Sequence, residues 1–294
     1  LEAIREISLG SSFKLNYTQN KVVIFSSKAA EYGIDNFIDF FDRDQELLIR
    51  PAISVYDGEC EKLFKAKLEE EKYLGVYIME LINNVGASSR AIQLSLNEYF
   101  NQRLIGDKTN VVTLIKMQSG GMGDKIVIDG GAILKEDKLI GIISKQEGQG
   151  FNFLMNNVKS GTLEPNNPEA ENKFVTLEIL NSKTKTQIKY EEDKIKLIKN
   201  IRVKTSLGEV QEKFMINDNS LKALEMTSEE NIKKACTIIF NKYKDEGIDI
   251  FDIEEELYRK YPKVKKNNPI KITELTVNAD VEITHSGDTL NFIK

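Results

Sequence analysis

The chain has 294 residues, 40% of them hydrophobic and 30% charged, with a formal net charge of −5. At about 150 residues per domain this length predicts two or three domains, each able to bury a core. The acidic balance argues against a nucleic-acid binder, which normally carries a basic excess, and no apolar run reaches the roughly 18 residues of a membrane-spanning helix.

The opening LEAIREISLG starts without Met and already places Ala3, Ile4 and Ile7 on one helical face. It reads as a helix over residues 2–9 and as the truncated start of a longer protein. No secretory leader is visible in it. KVVIFS, 21–26, reads as a short buried strand, and SKAAEYG as a helix with Gly33 as its stop. Asp35 is placed to cap the next helix, NFIDFFDRD. Pro51 opens a strand, AISVYDG.

From Glu59 to Ile105 the pattern turns helical. LEEEKYLGVYIMELINNV is amphipathic, and Ser88 or Ser89 is expected to cap a further helix running to Leu104 and stopped by Gly106. Strands follow: VVTLIKM, KIVID, GAIL and KLIGIIS, with tight turns between them. SGTLEPNNPEAEN, 160–172, is polar, carries two prolines and reads as a linker. Beyond it FVTLEIL, TQIKY and KIKLIKNIRVKT read as strands separated by NSKTK and EEDK. A long helix is predicted from about residue 228, with Thr227 and Glu230 at capping-box spacing. In IDIFDIEEELYRKYP, Asp252 and Glu255 repeat that logic and Pro262 ends the helix. In the last strand Leu275, Val277, Ala279, Val281 and Ile283 share one face, and Thr276, Asn278, Asp280, Glu282 and Thr284 the other, so the sheet is half-buried.

Five features of the sequence could carry chemistry. SGGMGDKIVIDGG, 119–131, gathers glycines and a lysine but is not a phosphate loop. Lys125 follows Asp124 and precedes Ile126, and the next segment is a strand, so no helix N-terminus is available. Its glycines fit a hairpin turn and bulges instead. His285 is the one histidine. It cannot build a metal cluster by itself. A Ser-His-Asp arrangement stays formally open, although no G-x-S-x-G elbow supports it. The acidic groups Asp42 with Asp44, Glu69 to Glu71 and Glu254 to Glu256 lie in charge runs and read as solvated helix faces rather than a glycosidase pair. Cys60 and Cys236 form neither C-x-x-C nor a disulfide ladder. Cys236 shares a helical face with Ile232, Ile239, Phe240 and Tyr243 and reads as a buried thiol. Lys194, Lys196, Arg202 and Lys204 share strand parity, opposite Ile195, Leu197, Ile201 and Val203. That stripe is either a solvated sheet face or a surface for an anionic partner. No reaction centre emerges, which suits a binding or structural module.

Several stretches together resemble the Ger(x)C family, the C subunit of spore germinant receptors. In KVVIFSSKAAEYGIDNFIDFFDRDQELLIRPAISVYDGECEKLF, residues Ala30, Gly33, Ile34, Arg43, Asp44, Glu46 and Arg50 sit at matching places. In IDGGAILKEDKLIGIIS, Gly131, Ala132, Lys135, Lys138, Leu139 and Gly141 match, with Leu134 in place of an aromatic. In GIDIFDIEEELYRKYPKV, Asp249, Ile250, Phe251, Arg259, Tyr261 and Pro262 match, without the family's two glycines after Phe251. Gly287 matches the closing turn, and the tryptophans common after the R-x-x-P segment are missing.

The resemblance implies a non-enzymatic lipoprotein with no cofactor. A diacylglyceryl anchor is expected on a cysteine upstream of residue 1, holding the protein on the outer face of the spore inner membrane. The implied partners are the A and B integral-membrane receptor subunits and the membrane surface, with no nucleic acid. The expected contact residues, in the segments Arg43–Glu46 and Asp249–Pro262, are Arg43, Asp44, Glu46, Asp249, Phe251, Arg259 and Tyr261; the alternative is that Asp249, Asp252 and Arg43 cap helices and pair charges. A soluble germinant-binding protein is the alternative, and a hydrolase using His285 a remote one. The predicted fold class is α+β and multi-domain, with small, mostly antiparallel β-sheets each flanked by α-helices. The expected boundaries are 1–62 for the remainder of an N-terminal α+β domain, 63–159 for a middle helical and hairpin domain, 160–172 for the linker and 173–294 for a C-terminal α+β domain.

Overall fold

The computed structural model describes residues 6, 9, 10, 19–43, 51–66, 68, 73–120, 123–285, 291 and 292. The helix expected over 2–9 therefore lies largely outside the described residues, as do Asp44, Glu46, Arg50, Glu69 to Glu71 and Gly287. The chain forms two compact units, one of Leu1–Ile82 with Gln93–Ile142 and one of Asn83–Ile92 with Ile143–Lys294. Both units are α+β with mixed sheets.

The first unit is built on β1 (Val22–Ser26), β2 (Ala52–Asp57), β3 (Thr109–Gly120), β4 (Gly123–Lys135) and β5 (Lys138–Ile143), in that spatial order. The pairs β1–β2 and β2–β3 are parallel, and β3–β4 is antiparallel. Helices cover both faces, which is why β2 is apolar on both sides. On one face Ile53, Val55, Val112 and Leu114 pack with Ala30 of α1 (Ser27–Tyr32), Ile38 of α2 (Asp35–Arg43), and Leu96 and Tyr99 of α5 (Leu96–Gln102). On the other, Tyr56, Ile115 and Ile126 pack with Leu63 of α3 (Cys60–Phe64) and Ile78 and Ile82 of α4 (Leu74–Asn83).

Gly33 stops α1 at φ 126°, as expected. Asp35 lies inside the first turn of α2, one place later than a cap. KIVID and GAIL, expected as separate strands, are one strand, β4. Register passes from Thr113↔Gly131 to Ile115↔Ile128, so Asp129 and Gly130 together oppose Leu114. The extra residue forms a bulge, with Gly130 at φ 85°. The pairs Ser119↔Asp124 and Gly120↔Gly123 confirm that the glycine-rich stretch is a hairpin with a strand behind it.

Ser88 and Ser89 do not cap α5. Ser95 does, in a reciprocal box with Glu98. Residues 88–92 belong instead to the second unit, where Asn152 donates to Ser89 O at 3.0 Å and Ala91 O at 2.8 Å.

The second unit carries a sheet in the order β10 (Thr273–His285), β8 (Lys194–Val210), β7 (Val175–Glu191), β6 (Gly161–Leu163). A separate two-stranded pair joins β9 (Phe214–Met215) to β11 (Asn291–Phe292). NSKTK is not a turn: it is part of β7, whose run is interrupted only by register shifts. The turn between β7 and β8 has Glu192 at φ 51° and Asp193 at φ 62°, the pattern of a two-residue hairpin loop.

The segment expected as a linker is structural. β6 pairs with β7, and the buried Asn167 side chain donates to Gln211 O at 2.8 Å. The boundaries expected at 62/63 and 160–172 thus differ from the observed division. The N-terminal strands share one sheet with β3, and β6 is bonded into the C-terminal sheet.

Helix α6 (Lys145–Leu154) packs on α7 (Asp218–Glu246). α7 starts ten residues before its expected position, at 218 rather than 228. Asn217 caps it, accepting from Asn219 N and Ser220 N at 3.0 Å each. Thr227 lies within the helix and donates to Ala223 O. Glu225 and Glu229 of α7 accept from Ile283 N and Val281 N, which covers part of the outer edge of β10. On the solvated sheet face, Lys194, Arg202 and Lys204 reach Glu274, Asp280 and Glu282 of β10, and Lys196 reaches Glu191. The basic stripe is therefore a charge-neutralised solvated face.

Gly150 marks the closest approach of α6 and α7. A Cβ there would lie 2.6 Å from Ala235 O, a backbone atom that cannot move alone. Gly150→Ala gains helix propensity of about 1 kcal/mol, but overpacking costs about 1–3 kcal/mol and wins. Urea unfolding should show Gly150→Ala destabilised, whereas Gly75→Ala, with open space around it, should be stabilised by about 0.5 kcal/mol.

Candidate functional site

The segment singled out in the sequence, Asp249–Pro262, forms the start and body of α8 (Ile253–Lys260). Gly247 ends α7 at φ 73°, and the chain turns inward. Asp249 is 3% exposed and accepts from Phe251 N at 3.1 Å and Glu254 N at 2.8 Å. It is Asp249, not Asp252, that caps α8. Asp252 occupies the N-cap position but makes no side-chain cap bond. Its φ of 57° explains why glycine suits this place, and an Asp there costs about 1 kcal/mol. Burial raises the Asp249 carboxyl to about 6, against the backbone N–H groups that favour its anion.

Phe251 is 1% exposed, its ring 5.4 Å from Phe240 and 6.3 Å from Phe151. Asp249 and Phe251 are thus interior residues that build the helix start, which corrects the expectation that they form a contact surface. Arg259 and Tyr261 do reach the surface. Arg259 pairs with Glu255 at 2.7 Å, and the half-buried Tyr261 ring lies 6.3 Å from Tyr190. Arg43 closes α2, with its side chain outside the described set, and Asp44 and Glu46 lie outside it altogether.

Sequence reasoning passed over Lys199. It sits at the inward parity of β8 between Leu197 and Ile201 and is 4% exposed. Its Nζ donates to Thr186 Oγ1, directly across the ladder, at 2.9 Å. Burial lowers its pKa to about 8, while Glu256 and then Asp252 act to hold the proton. The signal was a lysine at core parity in KIKLIKNIRVKT, out of phase with the outward cations. Nearby, Cys236 is buried and its thiol is pushed up to about 12 by burial, so it is inert; Cys60 is exposed.

In the first unit a second polar centre lies where the G-x-A-x-x-K-x-x-K-L stretch turns. Glu136 and Asp137 form the β4–β5 turn, both at positive φ. The Asp137 carboxylate accepts from Tyr99 OH and takes Arg103 in a two-pronged pair, with Nε at 2.9 Å. Its backbone O receives Ile34 N at 2.9 Å. Burial and the Asp137 bond raise the Tyr99 pKa well above the ordinary tyrosine range. Lys135 anchors to Asp107 at 2.7 and 2.9 Å. Of the matching residues in this stretch, Lys135 thus ties β4 to Asp107.

Among the described residues no group of three or more His, Cys, Asp or Glu side chains is placed to hold a metal ion. No described helix is long and apolar enough to cross a membrane. His285 pairs through its backbone with Ser206, and its side chain is outside the described set.

Two mixed-sheet units, in which described polar residues cap a helix, lock a turn and bridge a strand ladder, define a two-unit α+β class of protein. Comparison with known proteins narrows it. Residues 129–287 match the family described as spore germination B3/GerAC like, C-terminal, and residues 1–117 match the spore germination protein N-terminal domain. The chain belongs to this GerAC-like family of germinant-receptor C subunits. It is 24% identical over 292 residues to the spore germination protein GerQC of Bacillus cereus, covering 98% of this chain and 80% of that protein. Its fold matches the crystal structure of the GerBC protein with a TM-score of 0.71 at 18% identity, over 95% of this chain and 83% of that one.

Asp137→Asn keeps a residue that tolerates the turn but removes the paired carboxylate from Arg103 and Tyr99. It should destabilise the first unit by about 3 kcal/mol, read by denaturant unfolding. For Lys199, the native pKa of about 8 lies below the unfolded value. Between about pH 8 and 10.4 the unfolded chain binds more protons, so stability rises with pH across that window, by up to about 3 kcal/mol. Asp249 has the opposite slope: raised to about 6, it binds its proton more tightly when folded, so its contribution falls as pH climbs through about 4 to 6. Subtracting the Tm profile of Lys199→Met from that of the unsubstituted chain should isolate the alkaline rise.

Proposed function

We propose that this chain is the C subunit of a nutrient germinant receptor: a non-enzymatic protein required for germination signalling at the spore inner membrane. It works with the integral-membrane A and B subunits. A diacylglyceryl anchor on a cysteine upstream of residue 1 holds it at the outer face of that membrane. The observation that carries this reading is the match to both family domains in order along the chain. A relation to a spore germination protein over 98% of this chain and 80% of that protein supports it. Among the described matching residues Asp249 caps a helix and Lys135 holds a loop, which suits a subunit that presents surfaces. Arg259 and Tyr261 are the described residues of the expected contact set that face outward, and with Arg43, Asp44 and Glu46 they form the proposed partner contacts.

Immunoprecipitation from mildly solubilised dormant-spore inner membranes tests the assembly. Mass spectrometry should recover two polytopic receptor subunits with this chain. Recovery of the chain by itself, or only from the soluble fraction, would contradict the proposal and favour a free ligand-binding protein. In the same strain His285→Ala should leave nutrient germination unchanged, whereas abolished germination with intact protein levels would revive the hydrolase reading.

A further inference from the structure

Between Glu256 and Glu274 the sequence carries Arg259, Lys260, Lys263, Lys265, Lys266 and Lys271 and no acid. In an acidic chain this is a local reversal of charge, and the structure gathers most of it at the end of α8 beside the β7–β8 turn. Lys260 donates to Ile188 O at 2.6 Å and sits 5.6 Å from the Tyr261 ring. Lys266 lies 5.5 Å over the Tyr190 ring and 3.0 Å from Asp193. A turn with Val264 N on Tyr261 O at 2.9 Å carries Lys263 and Lys265 outward. Tyr258, on the same end of α8, is 62% exposed.

The charge at this end is not cancelled. Glu255 is taken by Arg259, Asp193 by Lys266 and Glu191 by Lys196. Lys263 and Lys265 are exposed and have no ion-pair partner among the described residues, and Lys260 is held by a carbonyl, which leaves its charge intact. Glu192, at the tip of the neighbouring turn, and Glu256 and Asp252, which act on Arg259, are the opposing charges nearby. Cations on flexible stems beside amphipathic tyrosine rings match a membrane interface, where headgroups attract the ammonium groups and the rings sit at headgroup depth. The contrast with the strip on the outer face of β8 is direct, because there every named cation faces a carboxylate.

We propose that Tyr258, Lys260, Tyr261, Lys263 and Lys265 form a docking surface for anionic phospholipid headgroups. The surface lays this end of the second unit on the bilayer as a second attachment beside the lipid anchor. One acyl anchor binds a membrane reversibly, so a basic patch is the kind of second element that makes attachment stable. The inference rests on the membrane location proposed above. It is tested on the purified chain without receptor partners, so its failure and the failure of receptor assembly are distinguishable.

The 294-residue chain is sedimented with vesicles of phosphatidylcholine, with and without phosphatidylglycerol. The expected result is binding to the anionic vesicles, weakened by added salt, and little binding to neutral ones. Lys263→Glu with Lys265→Glu should weaken it at least about tenfold, and Tyr258→Ser should weaken it further. Circular dichroism and Tm should stay unchanged, since these side chains are exposed. Equal binding to both vesicle types, or undiminished binding by the charge-reversed chain, would overturn the proposal.

Discussion

The C-terminal unit depends on one buried carboxylate. Asp249 closes the inner end of the loop after α7 by accepting from Phe251 N and Glu254 N. Those bonds decide where α8 begins, and with it which residues face in and which face out. Phe251 enters the aromatic group with Phe240 and Phe151, Ile253 and Leu257 face the core, and Tyr258 to Lys260 are left outside. A carboxylate that satisfies several backbone donors in a site from which water is excluded is strongly positional, because leaving those donors unpaired is expensive. The other polar centres act in the same way. Asp137 fastens the β4–β5 turn to α5, and Lys199 spans the β7–β8 ladder to Thr186.

Several described matching residues serve the local backbone in the same way. Gly33, Asp137's neighbour Lys135, and Asp249 are spread over both units, and each fixes the chain locally. Gly33 takes a φ that side chains rarely adopt, Lys135 holds the loop at Asp107, and Asp249 caps a helix. Such residues preserve a shape. The basic, tyrosine-bearing end of α8 is the surface proposed above to act beyond that shape.

Much of the fold was legible because periodicity and end-signals agreed. β1, α1 with its Gly33 stop, β2 after Pro51 and the alternating β10 all follow from pattern read directly. Errors arose where two local signals competed. Ser88 and Ser89 were plausible caps, but Ser95 has Glu98 three residues on and they do not. Thr227 and Glu230 had capping spacing inside a helix that Asn217 had already started. Asp129–Gly130 and NSKTK looked like turns, yet both are absorbed by long strands as register shifts, which only the partner strand can dictate. Gly148 and Gly150 gave no one-dimensional sign of their role, since their value is the backbone of Arg90 and Ala235 that they allow near. Asp249 was legible as important but not as buried, because an acid before a helix reads equally as a cap or as a surface charge.

The central claim is that this chain is a receptor subunit acting through its surfaces. Deleting it in its own spores and measuring the response to nutrients tests that most directly. The account predicts that germination triggered by at least one class of nutrient is lost, and that the intact gene restores it. Spores that respond to every nutrient at the parental rate without the chain would contradict it.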